Sequence, residues 1–296
     1  MLPAWCRRLP VLRTYDALRT AQQRLTEESR LLREERDRAR RLTAHVVSHG
    51  ALKDIARKRA DAYRTADPFP HIVLDDVFDP QLLRDVLVEF DAMDRAPWHV
   101  TERDTERKHS TEDFQHFGRA TRMIFAQLNA APFMAFLEAL TGIPGLIPDP
   151  HLRGGGLHEI RPGGALGVHA DFNFYQRLNL YRRLNLLIYL NEDWAEEWGG
   201  HLELWDRTGK RCVQRISPIF NRAVIFDTSN FSYHGHPHPL ACPPGRSRKS
   251  LALYYYTVEA PAEEDRTPHT TLFIKTDEMP TSETASTAAG FGRPPG

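Results

Sequence analysis

From Gly154 to Thr257 the chain is a succession of short β-type runs punctuated by Gly, Pro, Asn and Asp, and no other feature limits its fold as much. The runs are 154–160, 167–171, 183–190, 199–205, 222–227 and 251–257, with the turn Arg161-Pro162-Gly163-Gly164 after the first. Side chains two apart on a strand share a face. In 183–190 that rule puts Leu184, Leu186, Ile188 and Leu190 on one side and Asn185, Leu187 and Tyr189 on the other. Many short strands at this spacing predict a sandwich or barrel. A double-sheet jelly roll is such an architecture, and its larger members enclose a ligand cavity.

The residues ahead of these strands read as helical. From Tyr15 to Lys58 the chain is rich in Arg, Glu, Leu and Ala, with no proline and only Gly50, which favours a long helix. Leu18, Leu25, Leu32, Ala39 and Val46 recur every seven residues, but the companion seam is Ala21, Glu28, Glu35 and Leu42. A strong coiled coil needs both seams apolar. The stripe therefore suits only a weak coiled coil, as in a homodimer through this helix, or a helix lying on the main domain. Intervening Glu27, Arg30, Glu34 and Arg38 read as a solvated, ion-paired face. Residues 68–76 mark a boundary and a first strand. Asp79-Pro80 opens a helix whose apolar side is Leu83, Val86, Leu87 and Phe90. Residues 94–118 lack periodicity and read as a long loop, functional or disordered. A helix with Phe133, Phe136, Leu137 and Leu140 buried then ends at Gly142. After Val258 the composition turns to Pro, Glu, Thr, Ser and Ala, with room for one short edge strand at 270–274 and disorder beyond Met279. The expected class is α+β: a double-stranded β-helix (jelly-roll) core with flanking helices and an N-terminal helical arm. The expected divisions are an arm at 1–65, a domain at 66–275 with its core at 150–260, and a flexible tail at 276–296.

Composition narrows the partners. Lys and Arg (39) balance Asp and Glu (39), so nothing suggests a nucleic-acid-binding surface. Cys6, Cys212 and Cys242 are scattered without a CxxC pair, which argues against a disulfide framework or zinc–thiolate site and for a reducing, cytoplasmic setting. No apolar run approaches a membrane span, and the first eight residues are too poor in apolar side chains for a signal peptide.

Chemistry concentrates in Gly167-Val168-His169-Ala170-Asp171-Phe172-Asn173 and in Ser232-Tyr233-His234-Gly235-His236. On a strand, His169 and Asp171 project side by side. A third nitrogen from a distant strand completes a two-His-one-carboxylate set, which leaves open positions and suits non-haem Fe(II). A single His-x-Asp pair is common by chance, so the reading depends on its company. His234, His236 and His238 alternate and would face one way, so the spacing alone leaves three candidates for the third ligand. His99, His109 and His116 show no ligand spacing and read as solvated.

Several further motifs fall in a fixed order: Pro162-Gly163 ahead of His169-Ala170-Asp171, then Tyr189-Leu-Asn-Glu-Asp-Trp194, Trp198-Gly-Gly200, Phe226-Asp-Thr228, Tyr233-His234, and Arg248 opening the last strand. In this the chain resembles the Fe(II)/2-oxoglutarate-dependent dioxygenases of the prolyl-hydroxylase-like branch, over roughly residues 150–260. The resemblance implies Fe(II) held by His169, Asp171 and His234. It implies 2-oxoglutarate held at its distal carboxylate by Arg248, with the Tyr189 phenol as a second donor, O2 as cosubstrate, and ascorbate as a candidate reductant. A guanidinium suits the carboxylate because its rigid fork of donors binds bidentately. The implied reaction hydroxylates an unactivated C–H bond and releases succinate and CO2. An aspartate at 171, rather than glycine or alanine, points to hydroxylation over halogenation. The chain departs from the pattern in two places. Arg161 stands where relatives have tyrosine, either helping to hold the cosubstrate or facing elsewhere, and residues 237–245 are extra between His234 and Arg248.

For the substrate, Asn173, Arg182 and Arg183 beside the ligand pair are candidates for a polar or carboxylate-bearing molecule. Hairpin chemistry and surface charge are their plainer reading. Trp98 is either a lid contact or a packed aromatic. The resemblance implies an amino-acid or peptide-like substrate, small or within a peptide. Two alternatives stay open at this point: a zinc-dependent hydrolase using the same three side chains, and a non-catalytic helical scaffold.

Overall fold

The computed structural model describes residues 10–41, 47–94, 98–261 and 267–275. The tail 276–296, expected to be flexible, lies outside the described residues. The chain divides into two compact units, residues 1–45 and 46–296. In the first, α1 (Pro10–Arg41) is one helix whose side chains from residue 17 to 40 are all exposed. Leu18, Leu25 and Leu32 are among them, and Arg30 pairs with Glu27 and Glu34 one turn away on either side. Nothing supports a coiled coil: the second seam is charged, as its sequence warned.

The helical stretch read as continuous to Lys58 restarts at Ser48, whose hydroxyl accepts from Ala51 N and caps α2 (His49–Arg64). This helix packs on α5 (Ala131–Thr141) and on β1 (His71–Asp75), burying Leu52, Ala56 and Tyr63. The Tyr63 hydroxyl donates to the Asp227 carboxylate. Asp79 caps α3 (Pro80–Ala92) through Gln81 N and Leu82 N, with Pro80 in its first turn. A further helix, α4 (Arg119–Leu128), precedes α5, which stops at Gly142 in the left-handed region.

The remaining strands are β2 (His99–Arg103), β3 (Glu106–Thr111), β4 (Ile147–Pro148), β5 (Gly156–Ile160), β6 (Leu166–Ala170), β7 (Phe174–Tyr175), β8 (Leu180–Tyr189), β9 (Leu202–Trp205), β10 (Cys212–Ile216), β11 (Arg222–Asp227), β12 (His234–His236), β13 (Arg248–Thr257) and β14 (Leu272–Phe273). They form one curled antiparallel sheet in the order β1-β11-β8-β13-β5-β3-β6-β12-β9-β10, the jelly-roll core expected from the sequence. Residues 99–111, read as loop, are instead a hairpin that inserts β3 between β5 and β6. Its strands are polar on both faces, so they carry no apolar alternation to detect. Within the curl, Tyr189, Leu202, Leu204, Ile216, Val224 and Phe226 pack as one buried cluster behind the site.

Candidate active site

Strand pairing alone brings two histidines together. Antiparallel β12 and β6 place His234 opposite His169, and the two rings lie 4.5 Å apart. Asp171 follows β6 directly. His169 Nε2 is 3.6 Å from Asp171 Oδ1, and His234 Nε2 is 3.4 Å from Oδ2. One ligand atom from each of the three buried residues lies within 4.8 Å of the others. The Nδ1 of His169 bonds Gly167 O at 2.8 Å, and that of His234 bonds Ser232 O at 2.9 Å. A carbonyl only accepts, so each Nδ1 carries the proton and each Nε2 turns a lone pair to the shared point. Burial, then the neighbouring His169, pushes His234 down to about 4, so its ring is neutral near pH 7, as metal binding requires.

Asp171 is anchored from behind. Asn185 Nδ2 donates to its Oδ2 at 2.8 Å, and Arg182 reaches the same oxygen at 3.0 Å. Arg182 also donates through Nε and Nη2 to Asn185 Oδ1, which accepts from Thr228 Oγ1 as well. The guanidinium sits 3.4 Å from the centre of the Tyr254 ring and 4.6 Å from that of Phe172, a cation–π sandwich. Burial alone would raise the Asp171 carboxyl, but Arg182, then His234 and His169, hold it well below the usual carboxylate range. Strict alternation would point Arg182 away from Asn185. The ladder between β8 and β13 slips at Tyr255 and Tyr256, and such a bulge re-aims a side chain.

Arg248 opens β13, opposite Ile160 of β5 and only 5% exposed, and is joined to the triad through Tyr189 and Phe226, which pack in one cluster with Phe226 against His234. Its Nε donates to Gly200 O at 2.8 Å and its Nη2 to the Tyr189 hydroxyl at 3.1 Å. No carboxylate pairs with it among the described residues. Burial depresses its pKa, Tyr189 opposing, while burial raises that of Tyr189. Gly200 is required here: its φ is +72°, and a Cβ would come within 2.5 Å of Leu240 and 3.1 Å of Arg248 Cδ. The extra residues 237–245 do not disturb this register. Leu240 bonds back to Gly163 and Gly164 and, with Cys242, packs on Ile160, Trp194 and Trp198.

The structure thus gathers His169, Asp171 and His234 into one buried cluster and Arg248 with Tyr189 into a second. It does not bring the remaining candidates to them as free groups. Arg182 is committed to Asp171. Arg183 donates to Thr257 Oγ1. The Asn173 amide is clamped at both ends by the segment 267–275, donating to Thr267 O and accepting from His269 N. Trp98 is buried against Phe90. Arg161, half exposed, pairs with the buried Glu159, and His238 is half exposed near Glu203. Sequence reasoning missed Asn185, visible only as an amide in a leucine strand, and Lys108 and His158 on the neighbouring β3 and β5. It also missed Phe273, whose ring lies 5.3 Å from that of His169. Lys108 acts on both His158 and His236, and burial, then Lys108, lowers His158 to about 3.

Residues 155–256 match the model of the 2OG-Fe(II) oxygenase superfamily. Over those residues the β core is similar to the 2OG-Fe(II) oxygenases. That family's cofactors are Fe(II), 2-oxoglutarate and O2, and its members are dioxygenases, a likeness that favours an oxygenase over the hydrolase and scaffold readings. No curated protein matches the chain by sequence. Among solved structures, the oxygenase fold is shared with a prolyl hydroxylase from Trichoplax adhaerens in complex with a hypoxia inducible factor peptide. That match has 15% identity, covers 69% of this chain and 90% of that one, and has a TM-score of 0.52. A prolyl-4-hydroxylase from Pseudomonas putida matches at 16% identity, over 71% and 98% of the two chains, with a TM-score of 0.47. HygX from Streptomyces hygroscopicus, with nickel, 2-oxoglutarate and hygromycin B bound, matches at 12% identity, over 68% and 87%, with a TM-score of 0.47.

Proposed function

We propose that His169, Asp171 and His234 hold Fe(II), that Arg248 with Tyr189 grips the distal carboxylate of 2-oxoglutarate, and that the oxygenase hydroxylates an unactivated C–H bond of an amino-acid or peptide-like substrate, releasing succinate and CO2. The observation that carries this reading is the buried guanidinium of Arg248, without a carboxylate partner among the described residues, in the same β core as a metal-ready triad. An isolated buried charge is costly, and a bound dicarboxylate supplies its counter-ion. Two imidazoles and a carboxylate with open positions fit Fe(II). When bound, metal and cosubstrate supply the oxidising chemistry; the protein supplies binding and orientation. Here the Nδ1 bonds fix both imidazoles, and Arg182 and Asn185 keep Asp171 ionised and aimed. The rings of Phe226 and Phe273 flank His234 and His169 and limit water.

Anaerobic titration tests this directly. Fe(II) with 2-oxoglutarate should give a weak visible charge-transfer band that His169→Ala abolishes, and admission of air should release succinate. A protein that binds Fe(II) but shows neither band nor succinate has some other function. A screen of free amino acids and peptides, read as substrate-stimulated succinate release, identifies the substrate; stimulation only by compounds of another class refutes that part of the reading.

A further inference from the structure

His236 stands out from the other histidines of the core. It is 4% exposed, yet neither ring nitrogen has a hydrogen-bond partner. His169 and His234 each satisfy Nδ1 on a carbonyl, and His71 satisfies both nitrogens. Buried polar atoms without partners are rare and call for a reason. The position supplies one. His236 follows His234 by two residues on β12, and a register slip against β6 lies between them: His234 faces His169, whereas His236 faces Leu166. Gly235 makes that close approach possible, since a Cβ there would lie 2.8 Å from the carbonyl oxygens of Leu166 and Gly167. The charged groups acting on the His236 ring are Arg248, then His169 and Lys108. β12 also pairs with β9, Gly235 opposite Glu203, and β9 starts two residues after Gly200, whose carbonyl accepts from Arg248; His236 is therefore on the strand next to the one that leads to the guanidinium.

Resting on the functional reading above, we propose that His236 is a third cosubstrate-binding group, donating a ring N–H to the distal carboxylate of 2-oxoglutarate beside Arg248. Arg248 spends Nε on Gly200 and shares Nη2 with Tyr189, so its fork alone leaves carboxylate lone pairs unfilled. A neutral imidazole offers one donor without adding a second buried cation next to the first. No titration is needed for this role.

The test is anaerobic binding of 2-oxoglutarate to the Fe(II)-loaded full chain, followed by the charge-transfer band, in wild type, His236→Leu and His236→Gln. Loss of one hydrogen bond to a charged group should weaken 2-oxoglutarate about 10- to 100-fold in His236→Leu. Fe(II) affinity should stay unchanged, and His236→Gln, which keeps a donor, should recover most of the loss. Binding of 2-oxopentanoate, which lacks the distal carboxylate, should be the same in all three proteins. Equal 2-oxoglutarate affinity in wild type and His236→Leu overturns the proposal, as does an equal loss for both keto acids, which would place the contact at the proximal end. Should His236→Leu lose Fe(II) or fold poorly, His236→Phe takes its place: a loss of 2-oxoglutarate affinity in His236→Phe that His236→Gln does not share supports the proposal, and equal affinity in the two overturns it. Wild type that binds Fe(II) but not 2-oxoglutarate removes the functional reading and this inference together; wild type that binds it while His236→Leu matches removes this inference alone.

Discussion

Around His169, Asp171 and His234 every side chain is held in place by its neighbours; around Arg248 there is no acid among the described residues, and nearby His236 has no partner at all. His169 and His234 are tied to carbonyls, and Asp171 to Asn185 and Arg182. Arg248 has two neutral acceptors and no acid, and His236 has nothing. On the proposed function, the contrast matches what each group would bind. A metal needs its ligands preset in geometry and protonation, and a surrounding shell supplies that rigidity. An anion is recognised by donors whose hydrogen-bonding capacity is unfilled until it arrives. One end therefore stabilises the empty fold, and the other costs it stability.

Mutations on the two sides should separate accordingly. The largest effect is expected at the ligands: His234→Ala should reduce 2-oxoglutarate-dependent succinate release to the level of metal-free protein, with the fold intact by circular dichroism. Next comes Arg182→Met. Breaking a buried pair from one side costs about 3–5 kcal/mol, and loss of a group that orients a ligand lowers metal affinity about 10- to 100-fold. Chemical denaturation of the metal-free protein and Fe(II) titration measure these separately. An unchanged unfolding midpoint would mean that the metal end is not held by this pair.

The site's two ends also differed in how far the sequence exposed them. His169 and Asp171 need only a two-residue spacing on a strand, and the motif order located His234 and Arg248. Local helix signals were equally direct at Asp79-Pro80 and Gly142. Arg182 was legible only as a charge near the pocket, because its inward turn comes from a ladder slip against β13 that no alternation rule contains. The β2–β3 hairpin escaped because its polar faces give no hydrophobic period. Asn173 read as a substrate contact because its partners lie more than 90 residues away, at Thr267 and His269. Short-range chemistry was readable; register slips and long-range polar contacts were not.

Arg248→Met probes the other side of the contrast. It should weaken 2-oxoglutarate about 10- to 100-fold, the worth of a charge-assisted hydrogen bond. Unlike Arg182→Met, it should leave the unfolding midpoint of the ligand-free protein unchanged or raise it, because it removes a buried charge that has no counter-ion there. Equal destabilisation by both substitutions would erase the distinction between a prestabilised and a waiting end.

The smallest effect concerns the segment that covers the metal end. β14 pairs with β6 at Ala170 and His169, Ile274 N donates to Val168 O, and Phe273 lies against His169. Asn173 holds the start of this segment through Thr267 O and His269 N. Each such bond contributes about 1 kcal/mol net, too little to move global unfolding much but enough to change local opening. In Asn173→Ala the Ile274 amide should exchange its hydrogen about 5- to 30-fold faster, the equivalent of about 1–2 kcal/mol, while amides of β8 and β13 keep their protection. If acceleration spreads to β13, the segment opens only with the core; if Ile274 is unaffected, the β6 ladder alone secures the cover over His169.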